Sequence, residues 1–400
     1  MDQSLRAQLR CPTLGTLSYR CGPEFCPPTS SGILYAARMI CMETAALTSV
    51  TYGRRRFKLH LMSLRVAVIG AGYMGQLHAR VVAESPLAQL AAIVDVNRES
   101  GEAIATGYGI PWFSTVDSIC EDGTIDAAIV AVPDTAHEEP ACRLLQAGKA
   151  VLLEKPMAHT LDAARRIGEV ARSSQGRLMV GHLLRFDPRY AGAAACIAEG
   201  VIGRPLHITA RRFTLRQVGR RLAGRSSPCF YLGVHDIDAM QWVSGRKVRR
   251  VFARAVSSAP RESTQPPTED AIFATCELED GMAGNLQFGW TLPDNSPSGI
   301  NARLEVVGTL GCVDVDTHDH GLSVLGPSGL TLPDGLHWPE VNSRITGNLA
   351  EEVNHFVRGL CYDQAFLVTV DDAMRNVAVN DAIMRSLQSN ALEVVETVGS

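Results

Sequence analysis

Residues 64–75 read LRVAVIGAGYMG, and this stretch decides the fold. Leu64 to Ile69 is a short apolar strand. Gly70, Gly72 and Gly75 follow, and a helical stretch runs from Gln76 to Ser85. A lone GxGxxG is weak. This one leaves a strand, opens a helix and has an acid, Asp95, 20 residues beyond Gly75, as a dinucleotide site requires. Gly70 makes the tight turn, Gly72 lets the backbone approach a pyrophosphate, and Gly75 allows close helix–strand packing. The helix start at Tyr73 and Met74 offers N–H groups and partial positive charge to phosphates. The plain alternative is a glycine-rich turn without a ligand.

The pattern continues outward. Leu90 to Val94 is a second apolar strand ending at Asp95. Asp95 is placed to accept hydrogen bonds from the adenosine ribose, which favours NAD; Arg98 nearby leaves NADP possible. The bland reading of Asp95 is a solvated acid at a strand end. A helix spans Arg98 to Tyr108, strands span 127–132 and 150–153, and a helix from His137 to Ala147 lies between them. Such alternation, with continuous apolar strands, reads as a parallel doubly wound sheet covered on both faces. After residue 182 the strands alternate instead: 206–213, 248–256, 271–278, 282–288 and 303–307, with a hairpin turn at Glu279-Asp280-Gly281. Helical pattern returns at 349–360 and 371–389. The fold class is therefore α/β: an N-terminal Rossmann domain, 64–182, then a C-terminal α+β domain, 183–400, on a large, mostly antiparallel sheet.

Composition agrees. The 400 residues are 46% hydrophobic and 20% charged, with net charge −4, which excludes wholesale disorder and any strong pull toward nucleic acid or lipid. No long uncharged apolar run suits a membrane span. Residues 1–63 differ: eight Arg and Lys face three acids there, leaving 30 basic and 39 acidic residues in the body. This leader shows no sustained period, and Met62-Ser63 directly precedes the first strand like a start codon. We read 1–63 as disordered or mis-called, with an organellar transit peptide as the other reading. The 11 cysteines are odd in number and irregularly spaced, which points to the cytoplasm and to no metal cluster.

Further candidate residues follow the ends of the parallel strands, where open α/β sheets place ligands. Ala131, Val132, Pro133 and His137 follow the third strand. Glu154, Lys155 and Pro156 follow the fourth, and Pro156 stiffens the turn that aims Lys155. Later, Tyr231-Leu232-Gly233-Val234-His235-Asp236-Ile237-Asp238 enters a helix, with His235 and Asp238 three apart on one face. Asp236 points elsewhere, as a first-turn acid.

These motifs together resemble the glucose–fructose oxidoreductase and inositol dehydrogenase family, Gfo/Idh/MocA. The resemblance runs from about Leu64 to the C-terminus. It rests on GAGYMG, AVPDTAH, EKP, GHLLRFDPRY (181–190), the HDID helix and Asp371-Asp372-Ala373 before a long helix. It implies a nicotinamide-dependent oxidoreductase for a sugar, cyclitol or similar polyol. Lys155 matches the family's catalytic lysine, His235 the proton-exchanging histidine, and Asp238 a position near substrate. Gly181, Arg185, Phe186 and Pro188 match the segment beside the nicotinamide. In this chemistry His235 takes the hydroxyl proton and Lys155 stabilises the alkoxide.

One departure stands out. Many members carry Asp four residues before the histidine; here that residue is Tyr231. Either Tyr231 donates a hydrogen bond to substrate, or it marks a subfamily with another substrate, or the protein binds cofactor without turnover. Beyond dehydrogenation, the alternatives are a nicotinamide-binding sensor or scaffold, and NAD-assisted glycosidic cleavage. Arg211, Arg212, Arg216, Arg220, Arg221 and Arg225 crowd fifteen residues ahead of the His helix. Arg216 in particular suits an anionic substrate; the alternative is a solvated loop or subunit contact. The expected assembly is a homodimer or homotetramer, with no nucleic-acid or membrane partner.

Overall fold

The computed structural model describes residues 5–11, 15–21, 49–52, 55–58, 63–257, 269–327 and 329–398. Residues 64–400 form one compact unit and residues 1–63 another.

In the larger unit, six strands make a parallel sheet: β1 Leu64–Ile69, β2 Ala88–Val94, β3 Trp112–Phe113, β4 Ala127–Val130, β5 Ala150–Leu153 and β6 Leu178–Val180. Their order is β6-β5-β4-β1-β2-β3, the doubly wound order that switches direction beside β1. Intervening helices are α1 Tyr73–Glu84, α2 Arg98–Tyr108, α3 Asp117–Glu121, α4 Glu138–Gln146 and α5 Leu161–Ser173. Every residue of β4 and β5 is buried, which is why those strands carry no polar alternation. Local chemistry sets the helix limits. Asn97 accepts from the Ser100 N–H to start α2, and Gly109 ends it at φ 65°. β4 stops at Val130, two residues short of its apolar run; a short 3₁₀ turn, Asp134–Ala136, follows Pro133 before α4.

The second sheet has seven strands: β7 Pro205–Leu215, β8 Val248–Val256, β9 Ala271–Leu278, β10 Ala283–Leu292, β11 Ile300–Gly308, β12 Cys312–Asp316 and β13 Glu393–Val394. Their order is β12-β11-β7-β10-β9-β8-β13. All neighbours are antiparallel except β7 and β10, which run parallel. Burial alternates along β9: Ala274, Cys276 and Leu278 point inward while Phe273 is exposed.

Helices α6 Pro188–Ala198, α7 Arg216–Leu222, α8 Val234–Ser244, α9 Asn348–Cys361 and α10 Val370–Ser389 complete the unit. α10 begins with a reciprocal Thr369–Asp372 capping box and touches both sheets' layers. The Ser386 hydroxyl accepts from Ala253 N–H of β8, while Met374 packs over Gly168 of α5. One hydrophobic cluster therefore runs from β1 through α10. The segment 332–346 crosses onto α1: Arg80 pairs with Glu340 at 2.7 Å, and Ile345 N–H donates to Glu84 at 2.8 Å.

The leader's described residues are the strands Leu5–Cys11, Gly15–Cys21, Ser49–Tyr52 and Arg55–Lys58, antiparallel, with the second, first, third and fourth adjacent in turn. The leader's lack of a sustained period does not anticipate these strands. The rest of the leader's reading lies outside the described residues. Among the described residues no helix is long and apolar enough to cross a membrane.

Candidate functional site

The glycine turn has the shape its spacing predicts. Gly70 sits at φ 103°, and a Cβ there meets the Ala131 carbonyl oxygen at 2.5 Å. A Cβ on Gly75 meets the Gly70 oxygen at 1.8 Å, so α1 rests directly on the turn. Gly72 has open space above it and caps α1 with no side chain. That open space at the start of α1 leaves room for a dinucleotide pyrophosphate beside its first N–H groups. Tyr73 beside it is exposed and meets Trp338 edge-on at 6.2 Å, while Met74 is half-buried.

Asp95 braces this turn. Its two oxygens accept from Ala71 N–H at 2.6 Å and Asn97 N–H at 2.7 Å. Each oxygen keeps a lone pair for a ribose hydroxyl. Arg98 is held by Glu102 at 2.9 Å and lies over the Trp112 ring. Ala131 closes the turn from β4 by donating its N–H to Ile69 at 2.8 Å; Val132 is half-buried and Pro133 exposed beyond it. His137 is buried with its ring nitrogens at 2.8 Å from the Pro156 oxygen and 3.0 Å from the Val132 oxygen. Its ring ties the two strand-end loops together and does not face the crevice with a bare nitrogen. Burial holds it below the ordinary histidine range despite both carbonyls.

Lys155 enters from the turn after β5, through a cis peptide to Pro156. Its Nζ stands 5.2 Å from the centre of the Tyr231 ring, a cation–π contact. Among the described residues no carboxylate ion-pairs with it, and burial pushes its pKa down. Glu154 next door turns away: Oε1 takes His78 at 2.9 Å and Oε2 accepts from Lys155 N–H at 3.1 Å.

Tyr231 lies in a π-helical turn, Cys229–Gly233, that runs into α8. Such turns recur at functional sites because the extra residue re-aims the side chains around it. Gly233 permits it here, since a Cβ meets the Phe288 ring at 2.8 Å. His235 follows one turn later. Its Nδ1 is buried without a partner, and burial, reinforced by Lys155 and Arg212, holds its pKa well below the usual histidine value. Lys155, Tyr231 and His235 thus converge at the carboxyl ends of the parallel strands.

Two buried ion pairs fasten α8. Asp236 takes Arg212 through both oxygens at 2.9 and 3.1 Å. It is fully buried, where the sequence suggested only a first-turn acid. Asp238 takes Arg185 at 3.0 and 2.7 Å, and Arg185 also donates to the Leu367 oxygen and to Asp372. Both Asp238 and Arg185 are therefore engaged with each other inside the protein. Arg216 is exposed at the start of α7, and Arg220 pairs with Asp294.

Two residues near Lys155 escaped the sequence reading. His182, in the quoted GHLLRFDPRY stretch, is 2% exposed with both ring nitrogens unpartnered. Glu352 is 1% exposed on α9 with Oε2 unpartnered, and Gly181 lies against its carboxyl group. Burial, together with the Glu154 charge, pushes the Glu352 pKa well up. Its signal was available: Leu349, Glu352, Val353 and Phe356 form one helical stripe, and an acid on an apolar stripe is unusual. His320, Asp334 and His337 also cluster within 4.8 Å. Their atoms are committed locally: His320 Nδ1 accepts from Gly335 N–H, and Asp334 accepts from the N–H groups of Leu336, His337 and Trp338.

A Rossmann sheet with a glycine turn after its first strand and a lysine after its fifth, together with a histidine on α8 of the second domain, defines a nicotinamide oxidoreductase class. Comparison with known proteins makes this specific. The profile of the Gfo/Idh/MocA oxidoreductase family, NAD-binding Rossmann fold, matches residues 64–182, and that family's C-terminal domain matches 190–314. The chain belongs to the Gfo/Idh/MocA oxidoreductase family. It is 28% identical over 336 residues to scyllo-inositol 2-dehydrogenase (NAD(+)) of Bacillus subtilis, covering 82% of this chain and 94% of that protein. It is 32% identical over 260 residues to inositol 2-dehydrogenase 2 of Saccharopolyspora erythraea, covering 64% and 74%. The crystal structure of Lactobacillus casei scyllo-inositol dehydrogenase with bound NAD(H) and scyllo-inositol shares the fold, with TM-score 0.72 at 20% identity over 83% of this chain and 99% of that one.

Proposed function

We propose that this protein is an NAD-dependent dehydrogenase acting on a secondary alcohol or ketone of a cyclitol, sugar or sugar derivative. The observation that carries the reading is Lys155 Nζ over the Tyr231 ring, one helical turn ahead of His235, after a strand of the parallel sheet that carries the Gly70–Gly75 turn. The inositol dehydrogenases among its relatives support the substrate class. A bound nicotinamide supplies the hydride acceptor or donor. The protein's part is the proton and the charge. Neutral His235 takes the proton from the reacting hydroxyl, for which its depressed pKa keeps it ready at neutral pH. Lys155, with no carboxylate partner among the described residues, stabilises the alkoxide. Tyr231 holds the Lys155 ammonium over its ring and donates its hydroxyl to a substrate oxygen, replacing the family's aspartate.

Asp95 and the engaged Arg98 support NAD over NADP, because a 2′-phosphate meets a carboxylate there. The crowded arginines lend the anionic substrate less support: Arg212 and Arg220 are held by Asp236 and Asp294, and Arg216 is exposed. We place the boundary between the domains near residue 182, where β6 ends. The free cysteines Cys120, Cys142, Cys196, Cys229, Cys276 and Cys312 support a reducing compartment, the cytoplasm. The exposed Phe273 and Val256 on the open sheet support a homodimer or homotetramer.

The test is reduced-nicotinamide absorbance of the purified full chain with NAD or NADP and a panel of inositols, neutral sugars, sugar acids and nucleotide-sugars. Turnover of a neutral polyol with NAD, lost in Lys155→Ala, is the expected result. NAD binding without turnover on any member overturns the dehydrogenase reading in favour of a binder.

A further inference from the structure

His182 follows β6 at the carboxyl end of the parallel sheet, where doubly wound folds open their ligand crevice. The proton transfer described above does not use it. Its ring is 2% exposed and neither nitrogen has a hydrogen-bond partner. Asp238 comes nearest among the acids that pair with it: Oδ2 lies 4.0 Å from Nδ1, and both Asp238 oxygens already accept from Arg185. A buried imidazole with two bare nitrogens is costly, so a ligand that satisfies them gains from the same geometry.

The surroundings say which ligand. Burial pushes the His182 pKa down, which favours the neutral ring with one N–H and one lone pair. That pair complements a hydroxyl, which both donates and accepts. A carboxylate or phosphate only accepts. His182 shares its surroundings with the reacting groups, since it lies close enough to His235 and Lys155 for their charges to interact. Arg185, the guanidinium beside His182, is already closed by Asp238 and Asp372.

We propose that His182 binds a second hydroxyl of the substrate, on a carbon next to the one that is oxidised, so that the protein selects vicinal diols. This rests on the dehydrogenase reading above and narrows its substrate class. His182 here determines specificity; Lys155 and His235 still carry the proton and the charge.

The experiment compares an inositol with the deoxy-inositol that lacks the neighbouring hydroxyl. The full chain is assayed as wild type, His182→Leu, which keeps bulk without polar atoms, and His182→Asn, which keeps a donor and an acceptor. NADH affinity is read separately by quenching of tryptophan fluorescence. Wild type is expected to prefer the inositol about tenfold in kcat/KM. His182→Leu is expected to lose that preference by raising KM for the inositol alone, with NADH affinity unchanged, and His182→Asn to recover part of it. A His182→Leu protein that keeps the wild-type preference overturns the proposal. So does a wild type with no preference, a result that needs no variant to fold. In both cases turnover itself leaves the dehydrogenase reading standing. A wild type that neither turns over nor binds any polyol in the presence of NADH, by calorimetry, removes that reading and this proposal with it.

Discussion

Single atoms decide most at the glycine turn. Gly75 and Gly72 are both glycines of one motif, yet a Cβ meets the Gly70 oxygen at 1.8 Å on the first and nothing within 4 Å on the second. Gly75→Ala is therefore expected to destabilise the fold by a few kcal/mol, read as a lower urea midpoint. Gly72→Ala is expected to leave the midpoint within about 0.5 kcal/mol of wild type and to weaken NAD binding about tenfold or more, because the methyl group enters the pyrophosphate cradle. Titration with NAD separates the two. The reacting groups carry their own sign. In the proposed reaction His235 works when neutral, and its pKa lies well below 6.5; the acid limb of kcat/KM is expected below pH 6.5. Lys155 works when charged, and burial lowers its pKa; the alkaline limb is expected below the ordinary lysine value of about 10.4. A pH profile of the wild type checks both, and Tyr231→Phe, which keeps the ring over Lys155, is expected to lower kcat about tenfold through the lost hydroxyl.

Elements position these groups through pairs that are local to no single motif. α8 is fastened around His235 by Asp236 and Asp238, one and three residues further on, which pair with Arg212 and Arg185. Removing one partner leaves a buried charge alone, so Arg212→Ala is expected to cost about 3–5 kcal/mol, measured by denaturant unfolding. On α9, Glu352 behaves oppositely to a surface acid. Its folded pKa is raised by burial, so folding favours its neutral form. The unfolded carboxyl ionises above about pH 4.3, and the native state loses stability as pH rises from there toward the folded value. Glu352→Gln removes the penalty. Its melting temperature is expected to exceed the wild type's by more at pH 8 than at pH 5.

At the scale of the molecule, one apolar cluster joins the two sheets, and several buried histidines have pKa values that burial pushes down. His137, His182 and His235 all have pKa values lowered by burial. The unfolded chain binds these protons near pH 6.5 and the folded chain does not. Stability is therefore expected to fall as pH drops below about 6.5, by up to about 1.4 kcal/mol per pH unit for each ring, with Glu352 opposing. Urea midpoints at pH 7 and pH 5.5 test the sign.

Much of this was legible beforehand. β1, β5 and α2 have the limits read from their residues, because buried parallel strands are bare apolar runs and α2 is closed by Asn97 and Gly109. Lys155 and His235 were legible through their motifs, and the same motifs named the family. The sequence by itself thus determined the parallel sheet, its glycine turn and the residues proposed to bear the chemistry, since each depends on neighbours a few positions away. Tertiary structure alone decided what those residues touch. Asp238 meets Arg185, 53 residues away, and Asp236 meets Arg212, 24 away. Glu352 comes against Gly181, and the ring of His137 closes on two loops. Hydrogen bonding and burial at such separations follow from packing, and no periodicity or spacing along the chain records them.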